Sequence, residues 1–160
     1  MATITEQDIR FELATRDFSD FLPFVKILEP PPGRGIIPFE VWSHLMEVAK
    51  ILSEEKLIVW LKSRQTGASW ELAAYALWTA QFKEGAKVLE FSQTENDAKS
   101  LLYKSRFIRE YLPDELQVSL GTDNTTEMTF PSMYSAIKVF PSTPSAGRGE
   151  TATLVIMDEA

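Results

Sequence analysis

The sequence predicts an α/β fold on a mostly parallel sheet. Strand-like and helix-like segments alternate from Pro38 onwards. A glycine turn joins an apolar run to a helix in "LIVWLKSRQTGASWELAAYALW". A later apolar run, "LVIMDEA", ends in two acids. Strand, helix, strand, helix, strand is the order in which crossover connections lay strands side by side and parallel.

Residues 1–37 read as a lead-in. "TEQDIRFELATRDF" can form a short helix, whereas "EPPPGRG" holds three prolines and two glycines and predicts a loop or linker. Val41, Trp42, Leu45, Met46, Val48, Ala49 and Leu52 recur at helical spacing, so 39–53 predicts an amphipathic helix. "KLIVWL", 56–61, is a continuous apolar run suited to a buried parallel strand. "SWELAAYALWTAQF", 69–82, is apolar on most sides and predicts a buried helix. "AKVLEFS", 86–92, is the second strand. The helix after it opens on one of two capping boxes, Ser92 with Glu95 or Thr94 with Asp97, and stops at Pro113. Two β-prone runs around Pro131–Ser135 predict a hairpin, and "TATLVIMDEA" supplies the last strand.

Composition narrows the chemistry. The chain has 160 residues, 44% hydrophobic and 24% charged, ordinary for a folded domain. It has no cysteine and one histidine, His44, which excludes thiolate chemistry and histidine metal clusters. No apolar run approaches the roughly 18–20 residues of a membrane span, and "MATITEQDIR" lacks the features of a signal peptide, so a cytoplasmic protein is expected. The net charge of −7 argues against a broad basic surface gripping nucleic acid.

The glycine turn carries the chemistry. A standard phosphate loop reads G-x-x-x-x-G-K-[ST]. With its second glycine on Gly67, Ser69 fills the hydroxyl position, Ala68 the lysine position and Lys62 the first glycine position. A lysine at the strand end has the reach to fold over the loop, and Arg64 adds a second cation. The backbone amides of Ser63 to Ser69 and the helix start form the cradle. In "LVIMDEA", Asp158 and Glu159 stand at the C-terminal end of a strand, where open parallel sheets bind ligands. An aspartate there can hold a Mg²⁺ shell, and a following glutamate can polarise water. An ordinary strand–turn–helix with surface charges is the competing reading of the loop alone.

With "IPFEVWSHLMEVAK", "LIVWLKSRQTGASWELAAYALW" and "SAGRGETATLVIMDEA" in view, residues 16–160 resemble the N-terminal ATPase domain of phage terminase large subunits, the motors that package DNA into proheads. The resemblance implies a P-loop NTPase-like three-layer sandwich over 38–160, truncated after its Walker B strand, with the nuclease domain absent. It implies ATP and Mg²⁺ as cofactors. Lys62 corresponds to the early phosphate-binding lysine of a variant Walker A loop; Ser63, Arg64, Gln65, Thr66, Gly67 and Ala68 complete that loop. Ser69 corresponds to the Mg²⁺ hydroxyl, Asp158 to the metal-shell acid, Glu159 to the catalytic carboxylate and Arg148 to an arginine finger. In the full-length protein the implied partners are double-stranded DNA, the terminase small subunit, the portal or prohead and a homo-oligomeric ring, in the cytoplasm of an infected bacterium.

Two departures and four weaker candidates remain. Members of that family often read "FxxWPHQ", whereas "FEVWSHL" has Ser43 for the proline and Leu45 for the base-contacting glutamine. Trp42 and His44 read as packing residues. Lys99 and Arg106 share a helix face that can meet a DNA phosphate or simply face solvent. The alternatives to a packaging ATPase are a helicase-like DNA translocase and a non-catalytic α/β assembly module.

Overall fold

A computed structural model describes residues 4–62 and 66–159. The chain opens with α1 (Glu6–Arg16) and α2 (Phe18–Phe21), then a hairpin of β1 (Lys26–Glu29) and β2 (Gly35–Pro38). Next come α3 (Ser43–Glu54), α4 (Ala68–Phe82), β3 (Lys87–Ser92) and α5 (Glu95–Glu110). The short β4 (Glu127–Phe130), β5 (Ser135–Pro141) and β6 (Leu154–Asp158) follow.

The main sheet runs β4-β5-β3-β6, with β3 parallel to both β5 and β6 and β4 antiparallel to β5. The α/β architecture and mostly parallel sheet expected from the sequence are therefore present, and β4–β5 is the expected hairpin. α4 and α5 pack against the sheet, and α1, α2 and α3 pack on α4. That is why α4 is apolar all round: Ala73, Ala76, Leu77 and Ala80 are fully buried. Thr94 is the cap that α5 uses; its Oγ accepts from the Asp97 N–H at 3.1 Å. No helix among the described residues is long and apolar enough to cross a membrane.

The lead-in is packed rather than trailing. Phe18 and Phe21 are fully buried in the same core as Tyr75 and Trp78, and the Trp78 Nε1–H donates to the Ala14 carbonyl at 2.9 Å. "EPPPGRG" does form a loop, but it is the turn of the β1–β2 hairpin, which the sequence did not announce.

One expected strand is absent from the sheet. Residues 56–61 run without helix or strand pairing, and Leu57, Val59 and Leu61 are 88%, 83% and 93% exposed. Among the described residues the one strand β6 pairs with is β3, and a cleft of about 930 Å³ lies between its other side and this segment. Leu72, Tyr75, Thr79 and Lys83 of α4 also line the cleft. An apolar run has the composition of a buried strand, but without a neighbour on either side its backbone has no ladder to join.

Candidate functional site

The site is built where β6 ends against the start of α4. Along β6 the side chains alternate: Ile156 and Asp158 are buried while Val155 and Met157 are exposed. The register pairs Asp158 with Ser92 on β3, and the Ser92 hydroxyl donates to the Asp158 carbonyl at 2.8 Å. That bond pins the strand end, and the alternation turns the carboxylate inward.

Three sequence-distant side chains meet there. The Ser69 hydroxyl, on the first turn of α4, donates to Asp158 Oδ2 at 2.7 Å. The Lys62 ammonium lies 3.0 Å from Asp158 Oδ1 and 3.8 Å from Glu159 Oε1. The lysine and aspartate side chains are both largely buried, whereas Glu159 is 71% exposed. Glu159 also holds a left-handed backbone (φ 53°), which a non-glycine residue rarely adopts and which costs energy. Lys62, Ser69, Asp158 and Glu159, all candidates from the sequence, are thus brought together.

Gly67 explains how the chain turns into α4. It is the helix N-cap, with a left-handed φ of 79° and no side-chain cap. A Cβ at that position would stand 3.3 Å from the Phe39 ring and 3.4 Å from Leu45. Ala68 is buried as the first residue of the helix. An uncapped first turn leaves backbone N–H groups turned towards the loop, where the helix dipole favours an anion. Thr66 and Gly67 also line a second cleft, of about 540 Å³, between the β1–β2 hairpin, Phe39, Trp42, Leu45 and Trp70. Leu45 is fully packed, but Trp42 is about half exposed, with His44 beside it (5.6 Å between ring centres). Trp42 is therefore a cleft wall rather than a core residue.

Ser63, Arg64 and Gln65 lie outside the described residues. Arg148 is exposed in the turn-rich stretch 144–149 leading to β6, and among the described residues its side chain makes no hydrogen bond or ion pair. That stretch is seated on β3, because a Cβ at Gly147 would come within 2.9 Å of the Phe91 ring. Lys99 and Arg106 are taken by acids: Lys99 pairs with Glu95 at 2.6 Å and Arg106 with Asp123 at 2.6 Å. Their charge is neutralised locally, which removes the case for a phosphate-gripping helix face.

Two charged groups near the site were missed. Glu90, in the middle of β3, is fully buried, and no hydrogen bond reaches either of its carboxylate oxygens. Burial above all, and then the nearby Asp158 charge, push its carboxyl up to about 8, against the opposing pull of Lys104. Lys104 of α5 is partly buried, and burial pushes its ammonium down. A signal existed for each: Glu90 interrupts the apolar run "VLEFS", and Lys104 borders the buried stripe of Leu101, Ser105 and Ile108. Glu71, on the first turn of α4, is a third buried acid, raised to about 8 by burial.

The donor set suits a hard cation held by few protein groups. Ser69 and Asp158 place a hydroxyl and a carboxylate oxygen side by side. Among the described residues no group of three or more His, Cys, Asp or Glu side chains could hold a metal. Mg²⁺ commonly takes one or two protein oxygens and completes its octahedron with water and phosphate, so these two fit it. No protein-family model matches the chain, and no curated protein matches it.

Proposed function

We propose that this chain is an ATP-binding and hydrolysing P-loop module, the motor part of a DNA-packaging terminase large subunit. The observation that carries the reading is the meeting of Lys62, Ser69 and Asp158 within 3.0 Å contacts, across 89 residues or more of sequence. A phosphate chain laid over Thr66–Ser69 would receive the first-turn amides of α4 and the Lys62 ammonium. Ser69 and Asp158 would hold Mg²⁺, which supplies charge neutralisation on the phosphate oxygens. Lys62 would exchange its carboxylate partner for phosphate oxygens as nucleotide enters.

Glu159 is the general base in this reading. Its exposed carboxylate accepts the proton of a water whose oxygen attacks the terminal phosphorus, and the bond to the departing ADP oxygen breaks. Arg148, exposed and without a charge partner among the described residues, supplies the finger that stabilises the transferring phosphoryl group. The nucleoside would occupy the cleft beside Thr66 and Gly67. Among the described residues lining it there is no side-chain amide, and Leu45 stands where the resemblance places the adenine-reading glutamine. Phe39, Trp42 and Trp70 would offer stacking faces to the base, and Glu29, Arg34 and Glu40 polar contacts. Double-stranded DNA and a homo-oligomeric ring are the partners this role requires.

Mg²⁺-ATP should raise the melting temperature, since a ligand of the native state stabilises it. Lys62→Ala should abolish that shift, while Ala68→Gly should leave most of it. Glu159→Ala in the intact motor should keep ATP binding and lose turnover. No shift with the intact motor would instead favour the non-catalytic assembly module. Strand separation in a fork assay without proheads would favour a helicase-like translocase.

A further inference from the structure

We propose that Lys104 is a second phosphate-binding cation of this site, reaching the terminal phosphate of the nucleotide from α5. The inference rests on the nucleotide-binding reading and assigns a residue that the phosphate-loop pattern does not contain.

The geometry begins with what Lys104 touches. Its ammonium lies 3.2 Å from the Ser100 hydroxyl and 5.9 Å from the centre of the Trp70 ring. Trp70 follows Ser69 directly, so the lysine lies over the first turn of α4. Asp158 and Lys62 of the site act on it, the first attracting and the second repelling it; Asp97 attracts it too, as does Glu90 when ionised. Lys62, in contact with Asp158, and Lys104, on α5, therefore both feel the charge of that carboxylate.

Among the described lysines that lack an ion pair, Lys26, Lys56, Lys83 and Lys87 are exposed and Lys104 is partly buried. Lys62, Lys99 and Lys138 each pair with a carboxylate within 3.0 Å, whereas Lys104 forms no ion pair among the described residues. Glu90, its buried neighbour, does not serve, because a carboxyl raised to about 8 is mostly neutral at pH 7. A partly desolvated ammonium without an anion is costly, and an arriving phosphate oxygen would relieve that cost through a charge-assisted hydrogen bond. The π face of Trp70 keeps the cation in place meanwhile.

Titration calorimetry on the 160-residue chain with Mg²⁺-ATP, Mg²⁺-ADP and inorganic tripolyphosphate tests this. Lys104→Met should weaken ATP and tripolyphosphate roughly tenfold, the worth of one charged hydrogen bond, and ADP distinctly less. Lys104→Arg should restore most of the ATP affinity. A Lys104→Met protein that binds ATP as wild type does, while Lys62→Ala fails to bind, overturns this inference and leaves the nucleotide site standing. A wild-type chain that binds neither ATP nor tripolyphosphate overturns both. The wild-type protein gives an independent readout that needs no variant to fold. Mg²⁺-ATP should protect Lys104 from amine acylation and adenosine should not; equal labelling with both rejects the contact.

Discussion

Residues 56–61 and β3 are similar in sequence and opposite in fate. "KLIVWL" and "KVLEFS" are both six-residue apolar runs with a lysine in front, and the first is the more apolar. Yet β3 is the central strand, paired with β5 on one side and β6 on the other, while the first run has no ladder and exposes three of its large side chains. Composition makes a segment able to be a strand; a neighbour with free N–H and C=O groups makes it one. The two regions still meet at the site, because Lys62 ends the unpaired run and Asp158 ends the strand beside β3. One wall of the site is fixed by hydrogen bonds and the other by side-chain contacts.

The largest effect that sharpens this contrast is core truncation. Ile137→Ala on β5, paired with Val88 of β3 and fully buried, should cost about 2–5 kcal/mol in urea unfolding. On the unpaired run, where Val59 is 83% exposed, Val59→Ala should change stability by no more than about 0.5 kcal/mol. A large loss from Val59→Ala would mean that 56–61 is packed in solution, by a strand entering the cleft or by a second chain.

Next in size is the buried acid of β3. Glu90 keeps its proton in the folded chain up to about pH 8, while an unfolded glutamate loses it near 4.5. Between those values the native state binds more protons, so stability falls as pH rises from about 4.5 to about 8. Glu71 has the same sign and window. Glu90→Gln should flatten part of that slope and stabilise the protein at pH 8 by on the order of a few kcal/mol. Chemical unfolding at pH 5 and pH 8 reads it directly; a wild type equally stable at both would show that these carboxyls reach water.

A smaller effect than at Ile137 or Glu90 is expected at the turn between the two regions. Gly67→Ala places a Cβ on a left-handed residue and against Phe39 and Leu45. It should cost about 1–2 kcal/mol. Nucleotide affinity should fall as well, because the loop and the first turn of α4 share this residue. Unchanged unfolding would mean that the turn relaxes to an ordinary backbone.

Much of the fold was legible because its signals are local. The buried helix was readable over 69–82 from its composition and β6 from an apolar run ending in acids, whereas the cap of α5 was legible only as a choice between Ser92 and Thr94, which the structure decides for Thr94. The β1–β2 hairpin was not, since its strands are four residues each and flank a proline-rich turn. A three-layer sandwich was expected from resemblance; the described residues give a four-stranded sheet with α4 and α5 against it, a separate two-stranded sheet of β1 and β2, and the N-terminal helices on α4. The site was half legible. Lys62, Ser69, Asp158 and Glu159 stood out by residue type and position, while Glu90 and Lys104 looked like ordinary strand and helix charges until their surroundings were known.

The sequence missed α2 and began α3 at 39, four residues before Ser43. By itself it determined the long helices α4 and α5, where Gly67 breaks the backbone, and that two acids follow the apolar run of the last strand. These depend on side-chain periodicity and local sterics, which a residue carries wherever the chain goes. Only the tertiary structure decided that "LIVWL" stays unpaired, that Lys62 closes on Asp158 across 96 residues, and that Glu90 is buried beside them. Pairing, burial and charge proximity are properties of what lies opposite a residue, and no neighbour in sequence specifies that.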